Sequence, residues 1–92
     1  MYKPTDEEMA GLGFAQVASK KTMLDAAFGP TTTWERRSDN AVAKVYWDSF
    51  CGVHLGGEKP KEGRSIIPFT LRPVSSFEDV KGRVEHLNEL LK

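Results

Sequence analysis

Apolar and polar positions change period along this chain, and the changes divide it into elements. Near the C-terminus Phe77, Val80, Val84, Leu87 and Leu91 recur at 3-4-3-4 spacing, the pattern of a helix with one apolar stripe. Leu90 lies alongside, and Ser75 with Glu78 has the spacing of a capping box at the helix start. This stripe is expected to pack on a sheet, because the same heptad-like repeat is too short here for a coiled coil. From Thr31 the period is two. The runs Thr31–Arg37 and Ala41–Phe50 are rich in β-formers and flank the turn residues Ser38, Asp39 and Asn40. With Asp39 and Asn40 as the loop, Trp34 pairs with Val45, Arg36 with Ala43, Thr32 with Trp47, Glu35 with Lys44 and Thr33 with Tyr46. One face of this hairpin then carries Trp34, Ala43, Val45 and Trp47. The other carries Thr33, Glu35, Arg37, Lys44 and Tyr46, as in a sheet packed on one side and wet on the other.

The remaining segments are shorter. Thr5 and Glu8 form a capping box for an N-terminal helix, which Gly11 and Gly13 should end before Phe14. Gly11-Leu12-Gly13 lacks the preceding strand, third glycine and lysine of a phosphate loop. Ser19 caps a second expected helix through Met23, Leu24, Ala27 and Phe28, stopped by Gly29-Pro30. Cys51 to Leu55 continues the sheet by way of a bulge or tight turn at Gly52, whereas Gly56 to Gly63 reads as a flexible charged loop. Ser65 to Arg72 reads as a strand with Ile67, Phe69 and Leu71 on one face. Pro68, which cannot donate to a ladder, places it at an edge or at a bulge. The expected architecture is one α+β domain over residues 1–92: two short N-terminal helices, a three- or four-stranded antiparallel sheet, and a C-terminal amphipathic helix on one sheet face.

Composition narrows the function classes. Hydrophobic residues make up 39% and charged residues 28% of the 92, which excludes a low-hydrophobicity disordered chain. No run approaches the ~18 apolar residues of a membrane span, and the acidic stretch before Met9 has no secretory character. Thirteen basic and thirteen acidic residues cancel, removing the overall positive field common to phosphate-backbone binders. A lone cysteine, Cys51, offers no intramolecular disulfide, so a cytoplasmic setting is expected.

Candidate chemistry is sparse. Cys51-x-x-His54 has half of a zinc pattern, but a structural site needs four ligands, so no metal is assigned. No catalytic constellation or cofactor loop is found, so neither an enzyme nor a cofactor is expected. Trp34-Glu35-Arg36-Arg37 resembles the end of a recognition helix in repressor-like helix-turn-helix domains. The few residues between Gly29 and Trp34, with Pro30 and the threonines among them, leave no room for that helix. The order helix, three strands, helix is similar in outline to a double-stranded-RNA-binding domain. Such domains place lysines at the start of the last helix, where this chain has Phe77, Glu78 and Asp79. No functional residue carries over from either family.

The expected function is therefore non-catalytic binding of another protein, through Arg37, Lys44, Tyr46 and Phe50 on the polar face of the hairpin. In size, neutrality and lack of enzyme motifs the chain looks like accessory proteins of phages or mobile elements that bind and inhibit a host complex. The alternative is a nucleic-acid-binding regulator with a local basic patch of Lys20, Lys21, Arg36, Arg37 and Lys44.

Overall fold

A computed structural model describes residues 2–17, 32–48, 52–69 and 74–92. Helix α1 (Asp6–Gly11) begins at the expected capping box, with the Thr5 hydroxyl accepting from Glu8 N–H at 3.1 Å. It ends where the glycines require, Gly13 taking φ +87°. Five strands follow among the described residues: β1 (Ala15–Val17), β2 (Thr32–Arg37), β3 (Val42–Asp48), β4 (Gly52–Lys59) and β5 (Arg64–Phe69). They form one sheet in the order β1-β2-β3-β4-β5, each antiparallel to its neighbour. A 3-10 turn (Pro60–Glu62) joins β4 to β5, and helix α2 (Phe77–Leu90) closes the chain. The class is α+β.

The β2–β3 register is the one expected, from Thr32 opposite Trp47 to Arg36 opposite Ala43. Ser38 closes the turn, its N–H and hydroxyl both donating to the Ala41 carbonyl at 2.9 and 3.1 Å. Trp34, Ala43, Val45, Val53 and Leu55 face the core, where Met9 and Phe14 meet them from the α1 side and Val80, Val84, Leu87 and Leu91 from α2. The apolar stripe of α2 thus packs on the sheet, with Leu90 more exposed. Tyr2 N–H donates to the Val74 carbonyl at 3.2 Å, tying the N-terminal strip to the segment before α2.

Several expectations are corrected. Five strands replace three or four, because Ala15–Val17 pairs with β2 although it is too short to show a period. Gly56 to Lys59 is not loop but the second half of β4. Gly57 answers a close approach: a Cβ there would lie 2.8 Å from the Val42 carbonyl oxygen and 3.1 Å from the Leu91 methyls. The α2 cap is Ser76, whose hydroxyl accepts from Asp79 N–H, while the Asp79 carboxylate accepts from Ser75. In β5 the alternation breaks. The register shifts between Leu55 and Gly57, so Ile66 packs against the core and Ile67 is 80% exposed. This edge strand is both edge and irregular, as Pro68 demands. The second N-terminal helix, expected from Ser19 to Phe28, and the outer part of the last strand, Thr70 to Arg72, lie outside the described residues.

Candidate functional site

Antiparallel pairing places alternate residues of each strand on the sheet face away from α2. Register puts Val17, Thr33, Tyr46 and His54 in one row across four strands, Ala15, Glu35, Lys44 and Gly56 in the next, and Arg37, Val42, Glu58 and Ser65 beyond. Arg37, Lys44 and Tyr46 therefore share one surface. Phe50 lies outside the described residues.

This face is less wet than the alternation suggests. Thr33 is 9% exposed between Val17 and Tyr46, and Tyr46 is half-buried. Burial pushes the Tyr46 phenol up from its ordinary value, against the pull of nearby Lys44; Glu58 and Glu35 raise it further. Tyr46 thus presents a neutral, partly desolvated ring edge with a hydroxyl donor, the amphipathic character that makes tyrosine useful at interfaces.

The cations on this face are already paired. Arg37 Nη2 sits 3.0 Å from Glu35 Oε1, and Lys44 Nζ 3.3 Å from Glu58 Oε1. Partly exposed pairs of this kind add modest stability, and they cancel the local positive potential. Beyond Tyr46, His54 Nε2 meets Asp48 Oδ2 at 2.7 Å. Asp48 is 5% exposed and is registered against Gly52, so the absence of a side chain there leaves room for the diagonal contact with His54. The hairpin pattern alone does not reach this pair; its signal is the Tyr46–His54 register, which sets Asp48 and His54 two residues apart on one face. Among the described residues no cluster of His, Cys, Asp and Glu is arranged to hold a metal ion.

The alternative basic patch is divided. Arg36 points to the core face, where its Nη1 donates to the Leu12 carbonyl at 3.1 Å, its Nη2 donates to Asn88 Oδ1, and its Cζ lies 5.0 Å from the Phe14 ring centroid. It therefore joins the α1–β1 corner to α2, on the opposite side of the sheet from Arg37 and Lys44. Lys20 and Lys21 lie outside the described residues, as does Cys51. No described helix is long and apolar enough to cross a membrane. Comparison with protein-family models, with curated proteins and with solved structures finds no match for this chain.

Proposed function

We propose that this chain is a non-catalytic protein-binding domain whose contact surface is the sheet face bearing Tyr46, Lys44 and Arg37. The observation that carries this reading is the pairing of both cations with glutamates around a half-buried tyrosine. A self-neutralised face with an aromatic centre suits a protein surface of mixed charge, whereas a phosphate backbone calls for unpaired cations. Inhibition of a host complex by a phage or mobile-element product, in the cytoplasm, is the biological setting this reading favours.

The test is affinity capture from the source cells by the intact chain, with a parallel sample treated with nuclease. A specific protein retained after digestion, and weakened by more than ~1 kcal/mol when Tyr46→Ala is used as bait, supports the proposal. Association that nuclease abolishes, and that responds to Lys44→Ala and Arg37→Ala with a flatter salt dependence, replaces it with the nucleic-acid alternative.

A further inference from the structure

On the core side of the sheet, at the hairpin end, a cavity of about 150 Å³ opens between β2, β3 and α2, lined by Arg36, Ser38, Ala41, Ala43, Asn88 and Leu91. We propose that it is a binding site for a single carboxylate group, held by the Arg36 guanidinium and the Asn88 amide. The proposal does not depend on the Tyr46 face, which lies on the other side of the sheet.

Arg36 is half-buried, and its partners are a backbone carbonyl, an amide oxygen and an aromatic ring, all neutral. No carboxylate pairs with it among the described residues, in contrast to Arg37, Lys44, Lys59 and Arg64. A permanently charged fork in partial burial is stabilised by an anion, and one positive charge matches one carboxylate. Donor chemistry points the same way. Asn88 gives its oxygen to Arg36, so its NH2 group is left to donate, and neither it nor the remaining Arg36 N–H groups meets an acceptor among the described residues. The Ser38 hydroxyl is spent on the Ala41 carbonyl. Ala41, Ala43 and Leu91 supply an apolar wall, which suits the short hydrocarbon stem of a carboxylate better than a fully solvated phosphate. Gly13 keeps the guanidinium stem in place, since a Cβ there would stand 3.0 Å from Arg36 Cδ.

Two sources present this chemistry: a free small carboxylic acid, or the carboxylate of a protein partner's chain end. The test is a nitrogen-15 NMR titration of the whole chain with sodium acetate, sodium propionate, sodium phosphate and sodium chloride at matched ionic strength. Two further probes are a short neutral peptide with a free terminal carboxylate and the same peptide amidated. Saturating shifts at the amides of Ser38, Ala41 and Asn88 with propionate or the free peptide, but not with chloride, are expected. Asn88→Asp retains the acceptor for Arg36 and supplies an internal carboxylate, so affinity should fall about tenfold or more in a chain that stays folded. Ala41→Leu fills the cavity and gives the same loss by a route that leaves the charges alone. Propionate saturating while the peptide does not marks a free acid, and the free peptide binding more tightly than both propionate and its amide marks a chain end. Equal response to chloride, tighter binding of phosphate than propionate, or unchanged affinity in both variants overturns the proposal.

Discussion

Two tryptophans on the same sheet face show how one polar atom decides a residue's tolerance. Trp34 is 1% exposed and its Nε1 donates to Asp6 Oδ1 at 2.9 Å, holding α1 to the sheet. Trp47 lies partly buried under Lys3, whose Nζ is 4.7 Å from the ring centroid, and its own Nε1 is buried with no acceptor among the described residues. Trp34→Phe should therefore destabilise by ~1–3 kcal/mol, from the lost hydrogen bond to a charged acceptor, while Trp47→Phe removes an unsatisfied donor and should cost far less. Denaturant midpoints at constant slope check the order, and equal losses would contradict it. Two glycines separate in the same way. Gly57→Ala drives a methyl into the Val42 carbonyl and Leu91 and should cost ~1–3 kcal/mol. Gly82→Ala, exposed within α2 with nothing within 4 Å of a new Cβ, should stabilise by up to ~1 kcal/mol.

Helix α1 is short, so its stability rests on its cap and its docking. Glu8 Oε1 accepts from Thr5 N–H at 3.0 Å and from the Tyr2 hydroxyl. The Tyr2 bond is the larger reason that the Glu8 carboxyl is held below its ordinary 4.5, and the same bond pushes the Tyr2 phenol up to about 12. The signs are opposite. The Glu8 contribution is present above the ordinary carboxylate value and fades as pH falls through its lowered pKa; that of Tyr2 is present below pH 10.0 and fades as pH rises through about 12. Subtracting the stability-against-pH curve of Glu8→Gln from that of the parent should reveal the acid-side loss, and Tyr2→Phe the alkaline one; flat difference curves would remove the interaction from solution behaviour. Strand β5 makes a complementary prediction. Ile67, 80% exposed on an edge, should accept lysine without loss of thermal stability, and the charge should lower any self-association seen by ultracentrifugation. Legibility in the sequence differed among these elements for physical reasons. The β2–β3 register and the α2 stripe were readable because turn residues, caps and period agreed over long runs. Strand β1 has too few residues for a period, and Gly56-Gly57 resembled a loop because the neighbour that requires a glycine at position 57, Leu91, lies far along the chain. At the site, alternation placed Arg37, Lys44 and Tyr46 together with Glu35, the partner of Arg37, but Glu58 beside Lys44 and the Arg36 clamp required the third dimension.

The whole molecule divides its contacts by sequence distance. Each strand lies beside its chain neighbour, so the sheet assembles from local pairings. Among the described residues, the hydrogen bonds that bring distant segments together include Tyr2 to Val74, Trp34 to Asp6 and Arg36 to Asn88, alongside the packing of α2 on the sheet. That division has a kinetic consequence. Loop-closure entropy makes distant contacts costly to form before the sheet exists, so the meander should be the folding nucleus and the terminal clamps should lock afterwards. Stopped-flow refolding would then show Val45→Ala acting chiefly by slowing folding, and Asp6→Ala acting chiefly by speeding unfolding with the refolding limb nearly unmoved. The reverse pattern would place the clamps in the nucleus. With the clamps late, the two ends of the chain set how long the native state lasts once formed, and the central strands set how quickly it is reached.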